Sequence, residues 1–320
     1  MPELKYEIMK GMKILALLLV AGLSVNVIMA RTDGNSVSGE IGNFVSWESE
    51  NKLITTEKTD DAKAFAAADW GWTELGKGAQ AGSARLRLFD SDQCISVVRY
   101  RASKFRTCIA NEPGKDADST SAIAGKYGAI AAINGSYFDM GELLPVTYVK
   151  DDGVQEGRTT PSEANLRVDG LVGIRRGHKL TIAYSDTLSY DKTVRKCREA
   201  MAAGSILLKD GVPQTAEGSK GGKNKSFYEK RHPRSLIGTT SDGWVYMIVI
   251  DGRSSEAAGA TIGETAEIAR MFGLNDAINL DGGGSSTLWT ASEGVINHPS
   301  DNRKFDHAGQ RIVPNIIYVK

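Results

Sequence analysis

The stretch WVYMIVIDGRSSEAAGATIGETAEIARMFGLNDAINLDGGGSS, residues 244–286, constrains the fold more than any other part of the chain. WVYMIVI is a continuous apolar, β-branched run ending at Asp251-Gly252, the pattern of a strand covered on both faces. TIGETAEIARMFG reads as an amphipathic helix: Thr261 and Glu264 fit a capping box, Ile262, Ala266, Ile268, Ala269 and Phe272 supply apolar contacts, and Gly273 suits the C′ position. AINL is a second short strand, ending at Asp281-Gly282. Strand, helix and strand at this spacing predict a right-handed crossover between two parallel strands. The expected fold class is α+β: a mixed sheet with helices packed on it, containing this parallel strand-helix-strand crossover near the C-terminus.

Parallel strands point their carboxyl ends at one rim, where ligands of open α/β sheets bind. Asp251 and Asp281 are therefore expected on a common rim, with Asn134, at the end of a small-residue strand in AAINGSYF, as a third polar group. Gly282, Gly283 and Gly284 let the chain turn tightly and approach a ligand with its N–H groups exposed. Ser285, Ser286 and Thr287 add hydroxyls, so phosphate or a polyhydroxy sugar suits the site. No Gly-Lys-Ser/Thr follows these glycines and no Gly-x-Ser-x-Gly surrounds Ser285, so neither nucleotide hydrolysis nor a Ser-His-Asp triad is supported.

Arg234, in HPRSLIG, and Arg253 carry guanidinium forks that match phosphate oxygens. Arg253 has a local alternative, an ion pair with Asp251. Glu264 is a further candidate ligand, although its place as third residue of the helix already accounts for it. His232 is read either as a ligand or acid/base group or as a neutral turn histidine. His298, His307, Asp301 and Asp306 follow no strong metal-ligand spacing and are expected in a solvated loop. GSKGGKNKSFYEKR, residues 218–231, is either a solvated loop or a basic lid over an anionic ligand.

Elsewhere the pattern is globular from Trp70 onward. ARLRLFD and CISVVRYRA read as half-buried strands, a short helix starts at Ser119, and a helix is expected around Val194 to Ala203. Residues 31–69 form a polar lead-in. Residues 1–30 read as a secretory signal peptide: Lys5, Lys10 and Lys13 precede an apolar run, and Ala30 offers a cleavage site. Export predicts a secreted or periplasmic protein with no stable membrane insertion after cleavage. The remaining 36 basic and 37 acidic residues leave a net charge of −1, which argues against nucleic acid as partner. Of the three cysteines, Cys94 and Cys108 either bridge or stay as free buried thiols alongside Cys197.

AAINGSYF, HPRSLIG, VIDGR, TIGETAEIARMFGLNDAINLDGGGSSTLW and GVINHPSDN…QRIVPNIIYV occur in an order that resembles the phosphodiester glycosidase family, over residues 70–320. The resemblance implies hydrolysis of a sugar-1-phosphodiester, similar to an N-acetylglucosamine-1-phosphodiester, at the anomeric C–O bond. The pocket residues it implies are Asn134, Arg234, Asp251, Gly252, Arg253, Asn279, Asp281, Gly282, Gly283, Gly284, Ser285, Asn297 and Arg311. Gln310 departs from the glutamate many relatives carry before that arginine, so an acidic role there is in doubt. Such cleavage builds positive charge on the sugar and negative charge on the leaving phosphate. Asp281 is then the candidate base or nucleophile, Asp251 its partner or a sugar ligand, and Arg234 and Arg253 the groups that stabilise the phosphate. No cofactor is demanded; if a metal is held, Asp251 and Asp281 suit Ca2+ or Mg2+. The alternatives are a non-catalytic envelope module that binds anionic glycans, and a phosphodiesterase that cuts P–O.

Overall fold

The computed structural model describes residues 14–21, 24–31, 60–184, 191–214 and 224–320. They fall into two units that divide between Leu53 and Ile54. In the first, the apolar run read as part of an export signal forms an antiparallel pair, Ile14–Ala21 with Ser24–Arg31. Among the described residues, no helix is long and apolar enough to cross a membrane. Residues 215–223, which include the start of the expected basic lid, lie outside the described residues; its end forms a short helix, Lys225–Glu229, capped by Asn224.

The larger unit is built on an eight-stranded sheet whose central strands, in spatial order, are Asp276–Asn279, Arg234–Thr239, Trp244–Ile250, Ser91–Arg101 and Ala79–Leu88. A five-stranded sheet of Gly294–Val295, Leu288–Thr290, Ala131–Asn134, Asn315–Val319 and Thr107–Asn111, and another around Gly170–Arg175 and Cys197–Ala203, pack against it. Val245, Met247 and Val249 enter the core shared with those sheets. Tyr246, Ile248 and Ile250 face the opposite side, where Ile262, Ala266, Ile268 and Ala269 of the Ile262–Met271 helix cover them. That two-sided cover explains the continuous apolar run. The capping box of Thr261 and Glu264 is present, and Gly273 follows the helix with φ +74°.

The expected parallel crossover is not there. Every strand pairing among the described residues is antiparallel, so the fold is predominantly antiparallel β rather than a mixed α+β sheet. The reason is occupancy: Trp244–Ile250 is flanked on one side by its hairpin partner Arg234–Thr239 and on the other by Ser91–Arg101. The strand that follows the helix pairs instead with the far edge of Arg234–Thr239. Two successive antiparallel pairings turn Trp244–Ile250 and Asp276–Asn279 the same way, with Arg234 at the start of the strand between their ends.

The helix expected around Val194 to Ala203 is also corrected. Only Asp191–Val194 is helical, and Cys197–Ala203 is a strand hydrogen-bonded on both sides, to Gly170–Arg175 and to Val149–Asp151. Met201 and Ala203 face the main core while Ala200 and Ala202 face a second cluster with Val168 and Leu171. Burial on two faces overrides the helix preference of Glu, Ala and Met. Cys94, Cys108 and Cys197 are buried free thiols. The helix at residues 60–67 places Phe65 edge-on to Trp70 and Phe272, 5.1 and 4.7 Å between ring centroids.

Candidate active site

The run of glycines after Asp281 is explained by what each one touches. A β-carbon on Gly282 would stand 2.6 Å from the Pro233 carbonyl oxygen. One on Gly283, where φ is +65°, would stand 2.9 Å from Nη2 of Arg253. One on Gly284 would stand 2.3 Å from Asp301 Oδ1 and 2.4 Å from Arg311 Nη2. No other side chain leaves room for these close approaches, so the glycines let two guanidinium groups close on the backbone beside Asp281.

The result is a cavity of about 330 Å³ whose lining includes Asp281, Gly282, Gly283, Arg234, Arg253 and Arg311 with His232, Tyr137, Phe227 and Arg167. It holds four arginines and one carboxylate. Arg234 is 2% exposed, and its Nε and Nη2 donate to the carbonyls of Ala260, Phe227 and Lys230 at 2.8, 2.7 and 3.1 Å. Those bonds fix the fork without neutralising it, and burial pulls its pKa down to about 10. Neither Arg234 nor Arg253 has an ion-pair partner among the described residues. Arg311 pairs with Asp301 at 2.5 Å, and Arg167 with Glu163 at 2.5 Å while stacking on Tyr137, 3.9 Å from guanidinium to ring.

Asp281 is partly buried, and desolvation raises its carboxyl pKa. The nearby Ser285 hydroxyl and the Arg167 and Arg311 cations oppose that rise. The Ser285 hydroxyl makes no hydrogen bond of standard geometry. His232 faces the cavity with Nε2 3.1 Å from the Ser226 carbonyl, and burial followed by the neighbouring Arg234 and Arg253 lowers its pKa. It is therefore a neutral imidazole near pH 7.

Other expected site residues shape the cavity from behind. Asn134 donates to the Asp281 carbonyl at 2.7 Å and accepts from Ser235 Oγ and the Thr287 N–H. Asn279 donates to the Gly204 carbonyl at 2.9 Å and to Tyr137 Oη at 3.1 Å, and the Tyr137 hydroxyl also donates to Gly204. Gly252 packs against Gly259, where a β-carbon would meet its Cα at 2.8 Å. Glu264 closes its capping box and forks with Arg231 at 2.5 Å, away from the cavity lining.

Asp251 is 1% exposed and does not line the cavity. Its Oδ1 accepts from Asn297 Nδ2 at 2.9 Å, and its carboxylate also takes the His298 N–H and the His298 ring, Nδ1 to Oδ2 2.9 Å. Asp301 and His307 lie on the exposed loop expected there, but the loop is anchored: His298 stacks on Phe305 at 3.8 Å and His307 reaches the Asn297 carbonyl at 2.7 Å. The carboxylate thereby clamps the C-terminal loop that also carries Asp301 and Arg311. Among the described residues, Asp251 clusters with Cys94 and His298, their ligand atoms within 4.8 Å, and Asp281 is not in that group. Sequence reasoning missed Arg167 and Tyr137, whereas Asn224 and Phe227, which also line the cavity, fall in the 218–231 stretch read as a solvated loop or a basic lid. Tyr137 follows Asn134 within NGSYF, but no local signal marks Arg167, which only the tertiary fold brings in.

A family model described as phosphodiester glycosidase matches residues 127–320. Over 252 residues, covering 72% of this chain and 46% of the relative, the chain is 26% identical to the N-acetylglucosamine-1-phosphodiester alpha-N-acetylglucosaminidase of Bos taurus. It is 39% identical over 105 residues to the SPbeta prophage-derived uncharacterized protein YomE of Bacillus subtilis, covering 32% of this chain and 15% of that protein. The zebrafish N-acetylglucosamine-1-phosphodiester alpha-N-acetylglucosaminidase catalytic domain, auto-inhibited by its pro-peptide, superposes with a TM-score of 0.59 at 16% identity, covering 75% and 82% of the two chains. A putative exported protein from Burkholderia pseudomallei gives 0.53 at 15%, covering 73% and 75%. These structures share the fold. The chain spans less than half the length of the curated relatives it matches.

Proposed function

The chain belongs to the phosphodiester glycosidase family, and from that premise we propose that it hydrolyses a sugar-1-phosphodiester at the anomeric C–O bond. Water adds its hydroxyl to C1, its proton goes to a phosphate oxygen, and the products are free sugar and a phosphomonoester. The observation that carries the reading is the cavity lining, in which a single carboxylate faces four arginines. Phosphate, already a weak base when it leaves, needs charge stabilisation more than a proton, and guanidinium groups supply it in a water-poor site. Arg253 and Arg234, which have no counter-ion among the described residues, are the phosphate-facing groups in this reading. Asp281 stands opposite the developing positive charge as base or nucleophile, and neutral His232 is positioned as a hydrogen-bonding ligand. Asp251 acts at a distance, by holding Asn297 and His298 and with them the Arg311 loop.

The sugar is proposed to be N-acetylglucosamine, by analogy with the activity in the name of the bovine relative, and the leader-like N-terminus supports action outside the cytoplasm. The test is product analysis with an N-acetylglucosamine-1-phosphodiester. Reducing sugar plus phosphomonoester is expected. Sugar-1-phosphate would mean P–O cleavage, and binding without turnover would mean a glycan-binding module.

A further inference from the structure

On the five-stranded sheet around Gly170–Arg175 lies a second concavity, of about 750 Å³. The hairpin turn at Arg176–His178 and the start of the adjacent strand bring Arg175, Arg176, Lys179, Arg195 and Lys196 around one mouth. All five are exposed, and none has a carboxylate partner among the described residues. In a chain with 39 basic and 39 acidic residues, that concentration of one sign is not average surface. The acids nearby are committed: Asp152 pairs with Arg198 at 2.6 Å, and buried Glu199 accepts the Ile109 N–H at 2.5 Å. Buried Ile174 and Cys197 form part of the wall.

Position adds a second argument. Arg167, in the first cavity, precedes the Gly170–Arg175 strand, and Arg175 ends it at the basic mouth. Six residues of strand separate the two sites by about 20 Å. A single sugar phosphate in one site cannot reach the other, whereas a polymer can engage both. The basic lining contains no Phe, Tyr or Trp, and its one ring is the imidazole of His178; the lack of a larger stacking platform favours a polyanion without bases.

We propose that this cleft is a second binding site, for a glycan polymer with repeated phosphodiester links, and that it holds the chain while one linkage enters the catalytic cavity. The identity of the polymer as glycan rests on the proposed function; the affinity for a polyanion does not. Backbone-phosphate contacts by Lys and Arg release counter-ions, so binding must weaken steeply with salt.

The test uses the full chain and a fluorescent poly(N-acetylglucosamine-1-phosphate) of defined length, followed by anisotropy at low and high salt, with uncharged glycan and inorganic polyphosphate of matched length as controls. Arg176→Glu, Lys179→Glu, Arg195→Glu and Lys196→Glu combined should weaken polymer binding at least tenfold and leave kcat/KM for a monomeric diester unchanged. The four corresponding Lys or Arg exchanges, which keep charge, should retain binding. Undiminished polymer binding by the charge-reversed variant, or equal affinity for uncharged glycan, would overturn the site. Polyphosphate bound as tightly as the glycan polymer would overturn its assignment to glycan. Absence of diester turnover by the unaltered protein would sink the catalytic reading and leave the anisotropy result to stand or fall on its own.

Discussion

Gly283→Ala separates the role of Arg253 from general stability. Gly283 sits at φ +65°, and an alanine β-carbon would stand 2.9 Å from Nη2 and 3.3 Å from Cζ of Arg253. The left-handed backbone costs a non-glycine residue about 1–2 kcal/mol, and reduced freedom of the unfolded chain returns about 0.4–1 kcal/mol. The net loss of about 1 kcal/mol should lower Tm by about 2–4 °C in a unit of this size. The guanidinium, being the mobile partner, must swing off the loop. A charged hydrogen bond to phosphate contributes about 1.5–3 kcal/mol, so kcat/KM for the diester should fall roughly ten- to hundredfold. Gly273→Ala is the matched control: φ is +74° there and a β-carbon meets nothing within 4 Å. It should cost the same stability and no activity. If both variants keep the same kcat/KM, Arg253 does not serve the reaction and the reasoning fails.

Asp281→Asn should abolish turnover while calorimetry still detects diester binding. Because burial raises the Asp281 pKa, the folded state holds that proton more tightly than the unfolded chain, and the ionised form costs stability above the folded pKa. The same variant should therefore raise Tm at pH 8 and not at pH 4, and the acid limb of kcat/KM in the unaltered protein should lie above the ordinary aspartate range. Asp251→Ala strips the acceptor from Asn297 and His298; a loss of about 3–5 kcal/mol is expected from the urea midpoint. Gly284→Ala should break the Arg311–Asp301 pair, read as a raised KM with a nearly unchanged far-ultraviolet spectrum.

The parts of this fold that depend on neighbours in sequence were readable from it. The Trp244–Ile250 strand, the capping box on Thr261 and the turn at Gly273 each follow from residues within a few positions. What joined Trp244–Ile250 was not readable, because its partner Ser91–Arg101 is far away in the chain and had already taken the slot a parallel neighbour would need. Cys197–Ala203 carries a helix-favouring composition, and only its burial between two strands makes it extended. The site divides the same way. Asp281, Arg253 and the glycines sit in a local motif, whereas the His298 that holds Asp251 and the Arg167 that lines the cavity are assembled by tertiary packing.

The central claim, that one carboxylate and a set of arginines form a single phosphodiester-binding cavity, is tested most directly by a crystal structure of the Asp281→Asn variant with an N-acetylglucosamine-1-phosphodiester bound. The phosphate should lie within hydrogen-bonding distance of Arg253 and at least one other cavity arginine, with the anomeric carbon facing residue 281. Density for the diester against Asp251 and His298, or anywhere that leaves the Arg253 fork empty, would contradict it.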